Sequence, residues 1–113
     1  MTPDEATALA RRVGAFLDRC FVDTGLLDEA LGYVAARLAS APWGRAEIEA
    51  GLEELDRLLG DADAREWLPW VVTFHGPQLH LDVLPRPGAA AIRTAEEWMA
   101  QFRRSLCALL AAP

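Results

Sequence analysis

His75, His80 and Asp82 are the residues whose types and spacing are best suited to chemistry. Two imidazoles and a carboxylate within eight positions could serve a zinc-like ion, which takes nitrogen and oxygen donors in a tetrahedral array. The same imidazoles titrate near neutrality and could act as acid and base. A nucleophile to accompany them is missing. Ser40 and Ser105 have no glycine-elbow context, and Cys20 falls within the apolar periodicity of a helix. No further metal ligand is evident, and a solvated polar face accounts for the same three residues. The motifs therefore do not point to an enzyme. A small-molecule or metal-binding domain using His75, His80 and Asp82, with some enzymatic activity, is the alternative to the reading reached below.

The element that would position these residues runs from Trp70 to Leu84, where hydrophobic residues alternate with a period of two. That period predicts one antiparallel β-hairpin. Trp70, Val72, Phe74, Leu79, Leu81 and Val83 would share an apolar face, and Val71, Thr73, His75, His80, Asp82 and Leu84 the other. Pro77 suits the first central position of a type I or II turn, which sets His75 opposite His80 with Asp82 diagonal to one of them. An isolated hairpin is marginal in water and leaves both edges unpaired. A homodimer joining two hairpins into one sheet would meet that need, and strand addition from another protein would meet it equally.

The rest of the chain reads as helices. Thr2-Pro3-Asp4-Glu5 has an N-cap threonine, a proline at the first helical position and capping-box spacing, opening an amphipathic helix over residues 3–21. A second helix, about 25–39, carries Leu27, Leu31, Val34 and Leu38. A third, about 45–59, turns Ile48, Leu52, Leu55 and Leu59 inward and stops at Gly60. A short helical turn follows toward Trp67. After the Pro85–Gly88 connector, Thr94 with Glu97 three residues on reads as the cap of the last helix, whose buried stripe is Trp98, Phe102, Leu106 and Leu109. The expected fold class is α+β: one mainly helical domain over residues 1–113, with three to four N-terminal helices, one hairpin and a C-terminal helix.

Composition narrows the function. The chain has 113 residues with 17 acidic and 11 basic side chains, for a formal charge of −6. All 11 basic residues are arginine, and asparagine is absent as well, which fits a GC-rich bacterial genome. A Schiff-base lysine, a lysine general base and a lysine-dependent phosphate loop are thereby excluded from this sequence. Net negative charge repels phosphate backbones and argues against nucleic acid as a partner. The acidic N-terminus lacks the positive start of a secretory signal, and no apolar run spans a bilayer, so the expected location is cytoplasmic, away from membranes. Cys20 and Cys107 are too far apart for a metal knuckle and read as two buried free thiols.

Two features suggest partner binding. Glu47, Glu49, Glu53, Glu54, Asp56, Asp61, Asp63 and Glu66 crowd one stretch of twenty residues. They read either as a solvated face or as a docking face for a basic protein. Trp43 stands in a Pro-Trp-Gly turn, where a large ring has less reason to be buried, and reads as a lid on the core or an interface anchor. The sequence thus favours a small acidic protein-binding module of the accessory, adaptor, antitoxin or immunity kind, with no cofactor. Its expected contacts are Trp43, the acids Glu49, Glu53 and Asp56, and the hairpin edge with Thr73, His75 and His80.

Overall fold

The structure, a computed structural model, describes residues 1–40, 42–81, 83 and 87–112, and for Pro42 and Trp43 it describes the backbone only. Among the described residues, five α-helices and one 3₁₀ turn account for the elements: α1 (Pro3–Cys20), α2 (Leu27–Ser40), α3 (Pro42–Gly60), the 3₁₀ turn (Ala64–Trp67), α4 (Leu68–Phe74) and α5 (Ala89–Ala111). Among the described residues there is no strand. The chain is a helical bundle-like globule, and the α+β class with a β-hairpin is corrected.

The correction has a visible physical cause. In the segment read as the first strand, Val71 and Val72 are both completely buried, as is Leu68 just before it. Burial at neighbouring positions 71 and 72 contradicts a period of two and fits the i, i+3, i+4 stripe of a helix. Phe74, which alternation would place in the core, is instead 55% exposed. Pro69 sits in the first turn of α4, where its missing amide hydrogen costs nothing. β-Branched and aromatic residues favour strands only weakly, and the packing of α4 against α1 and α5 overrides that preference here. Among the described residues no hairpin leaves an edge unpaired, so the structural reason for a homodimer through such an edge falls away.

α1 begins as the sequence indicates. The Thr2 hydroxyl accepts the Glu5 amide at 3.2 Å, and Pro3 is the first helical residue. Its buried stripe of Leu9, Val13, Phe16, Leu17 and Cys20 faces α2, α3, α4 and the 3₁₀ turn. α5 begins five residues before the expected cap, at Ala89 after Gly88. Three successive alanines start the helix there, and the Thr94 hydroxyl donates back to the Ala90 carbonyl at 3.0 Å as a mid-helix residue. At the start of the 3₁₀ turn the Asp61 carboxylate accepts the Ala64 amide at 2.8 Å, while Asp63 makes no side-chain cap bond.

The core is one cluster in which α1, α3 and α5 supply most of the large side chains. Phe16 meets Phe102 at 6.3 Å between ring centroids, and Phe21 touches both Trp98 and Phe102. No polar or charged residue is fully buried among the described residues. None of the described helices is long and apolar enough to cross a membrane. Cys20 is buried as expected, whereas Cys107 is only half-buried, and both are free thiols.

Candidate functional site

α4 is seven residues long and buries Leu68, Pro69, Val71 and Val72 against the bundle. Those positions turn Trp70 and Phe74 to the outer side, and Trp67 precedes them at the matching spacing of three and seven. Trp67 and Trp70 meet edge to face at 5.7 Å between centroids, and Trp70 and Phe74 are 5.9 Å apart. The two tryptophans are half-buried and Phe74 is exposed, so the three rings form a ridge along the outside of the short helix.

The C-terminal end of this ridge is anchored to α1. His75 leaves α4 in an extended conformation while its amide still donates to the Val71 carbonyl at 2.9 Å. Its ring packs on Trp70 at 5.3 Å, and its Nδ1 lies 2.7 Å from Asp18 Oδ2. The other Asp18 oxygen accepts the Gly76 amide at 3.2 Å. One carboxylate near the end of α1 therefore holds two consecutive residues of the loop after α4. The loop then folds back, with the Leu79 amide donating to the Val72 carbonyl at 2.7 Å. Gly76 needs its left-handed φ of 58°, and a Cβ there would lie 3.1 Å from Leu17 Cβ.

A polar cleft of about 420 Å³ opens beside this anchor, lined by Asp18, Asp23, Thr24 and Gln78 among others. Asp23 and Gln78 both adopt left-handed backbone, at φ 56° and 52°. A second cavity, of about 330 Å³, lies at the opposite end of the ridge, where Trp67, Asp63 and Glu66 meet Met1, Pro3 and Ala6.

The residues singled out by the sequence are scattered. His75 joins α4 to α1 instead of facing His80 across a ladder, and His80 is exposed outside any helix. Asp82 lies outside the described residues, and among those described no three metal-binding side chains gather at one point. The Thr73 hydroxyl is buried in α4 without a hydrogen-bond partner among the described residues. Trp43 is in the first turn of α3, with its side chain outside the described set.

The acids of α3 turn out to be largely engaged within the molecule. Glu47 is bridged by Arg19 of α1 and Arg37 of α2, and Glu54 by Arg12 of α1 and Arg57 of its own helix. Glu49 pairs with Arg45 at 3.0 Å, and Asp56 with Arg103 of α5. Among Glu49, Glu53 and Asp56, only Glu53 has no ion pair among the described residues. Three acids of the stretch, Glu47, Glu54 and Asp56, thus tie α3 to its neighbours.

Sequence reasoning missed Asp18, Gly14 and the exposure of Phe74. The spacing Trp67, Trp70, Phe74 was a readable helical signal, whereas nothing local connects Asp18 with a histidine 57 residues away. Comparison of the chain with protein-family models, curated proteins and solved structures finds no match.

Proposed function

We propose that this protein works by binding another protein, as an accessory, adaptor, antitoxin or immunity-type factor, and that the ridge of α4 is its contact surface. The observation that carries this reading is the row Trp67, Trp70 and Phe74 on the outer side of α4, with Phe74 55% exposed. Large aromatic side chains dominate the energetics of protein interfaces, and tryptophan is enriched where binding energy concentrates. The anchor through His75 and Asp18 adds to the case, because a ridge held in one conformation before binding loses less freedom on association.

The test is affinity capture from the cells of origin with the wild-type chain and with Phe74→Glu. Phe74 is exposed, so its replacement leaves the core intact, as far-UV circular dichroism should verify. A stoichiometric partner recovered by the wild type and lost with Phe74→Glu is the expected result. A complex that survives Phe74→Glu moves the contact surface elsewhere, and the lack of any stoichiometric partner ends the reading.

A further inference from the structure

Trp67 takes part in two surfaces at once. On one side it continues the aromatic ridge through its edge contact with Trp70. On the other it walls the cavity of about 330 Å³ that also carries Asp63 and Glu66. These two carboxylates differ from Glu47, Glu49, Glu54 and Asp56 of α3, each of which pairs with an arginine. Both are exposed and neither has an ion pair among the described residues, and against the two of them the described cavity lining sets one cation, the Met1 amino group, so the lining is net negative. An apolar ridge thus runs directly into a negative, aromatic-walled end.

We propose that the ridge docks a basic amphipathic segment of a partner protein, with an arginine or lysine side chain seated against Trp67 between Asp63 and Glu66. An apolar side chain of the same segment rests on Trp70 and Phe74. This deepens the protein-binding reading and rests on it. A guanidinium or ammonium group gains from the face of an indole and from the two carboxylates together, and that combination favours a cation over any neutral side chain. The spacing also fits: residues two apart in an extended segment are separated by about 6.5 Å, close to the 5.7 Å between the Trp67 and Trp70 centroids. A second copy of this chain is disfavoured, since both molecules would carry a formal charge of −6 into the contact. An anionic membrane surface meets the same repulsion.

The experiment follows the indole Nε1–H resonance of Trp67, assigned through Trp67→Phe, during titration of the full chain with two blocked pentapeptides. One is Ala-Arg-Ala-Leu-Ala, and the other carries neutral, nearly isosteric citrulline in place of arginine. The arginine peptide should shift the Trp67 indole saturably, together with the Phe74 ring. Binding should weaken about fivefold with citrulline, and by a similar factor in the double variant Asp63→Asn, Glu66→Gln. Asp63 makes no side-chain cap bond and Glu66 is exposed, so that variant keeps its fold. Equal binding of the two peptides, no response at Trp67, or indifference to the double variant would overturn the proposal. So would a homodimer in light scattering that Phe74→Glu dissociates. The two readings fail separately. A captured partner that depends on Phe74, with peptides that bind alike, removes the basic-segment proposal only; the absence of any Phe74-dependent complex removes the broader one.

Discussion

The imidazole of His75 occupies the space that a side chain on Gly14 would fill. A Cβ at Gly14 would fall 2.5 Å from His75 Cδ2 and 2.7 Å from its Nε2. The missing side chain of one residue on α1 is what allows the ring to lie between Asp18 and Trp70. Since the same loop holds the end of the aromatic ridge, a glycine far from the ridge in sequence helps to determine its position.

Gly14→Ala should therefore evict the ring and break the Asp18 contact, costing about 1–3 kcal/mol as overpacking does. In a His75→Ala background the clash is gone and only the helix preference for alanine is left. The same substitution should then stabilise by up to about 1 kcal/mol. Urea unfolding of the four proteins of this cycle measures both values, and additive effects would refute the packing relationship.

Two further glycines, given the same change, should respond with opposite signs. A Cβ at Gly51 would stand 2.2 Å from Phe16 Cε1, and that ring is almost fully buried beside Phe102. Gly51→Ala should cost about 1–3 kcal/mol, toward the upper end because the ring has no exit. Gly32 in α2 has no neighbour within 4 Å of its added Cβ, so Gly32→Ala should raise stability by about 0.5–1 kcal/mol. Thermal unfolding midpoints should move down for the first and up for the second.

Burial pushes the Cys20 thiol from its ordinary 9.0 up to about 12, despite the opposing charges of Arg37 and Arg19. The folded protein thus keeps this proton over a pH range in which the unfolded chain releases it. Between pH 9 and 12 the folded state binds more protons, so Cys20 makes stability fall as pH rises through that window. Below 9 it contributes no slope. Cys20→Ala should flatten the alkaline decline seen by chemical denaturation at stepped pH. At pH 8 a thiol-specific reagent should label the half-buried Cys107 first, and Cys20 only on unfolding.

Charge reversal on α3 should sort by partner. Asp56→Arg places a second cation beside Arg103, and Glu49→Arg places one beside Arg45. Each pair is half-exposed and so contributes little, and each reversal should cost about 1 kcal/mol. Glu53→Arg confronts no partner and should leave stability within about 0.5 kcal/mol. Measured in 0.5 M salt, the first two costs should shrink through screening while the third stays small.

Those three acids also show how much the sequence disclosed. Their position on an outer helix face was legible from the periodicity of Ile48, Leu52 and Leu55. The pairing of Asp56 with Arg103 of α5 was not, because ion pairs between helices depend on how the helices pack. The caps at Thr2 and Pro3 and the stripe of α1 were readable because they are local. The stretch 70–74 was misread because its composition and its packing disagree. Valine, threonine and aromatic residues suggested a strand, while the placement of Leu68, Val71 and Val72 in the core demanded a helix. The Asp18–His75 contact lay beyond any local pattern, since only the docking of α4 on α1 brings the two together.

Seven residues are too few for a helix to persist on its own in water. α4 must therefore borrow its stability from α1 and α5, and it can form only once they offer a surface. Amide exchange should find its hydrogens among the earlier helical ones to open, in fluctuations that leave the Phe16–Phe102 core closed. The aromatic ridge then exists only as long as that docking lasts. Any molecule that grips the ridge must hold α4 folded, and through it slow the local opening of the chain that presents it.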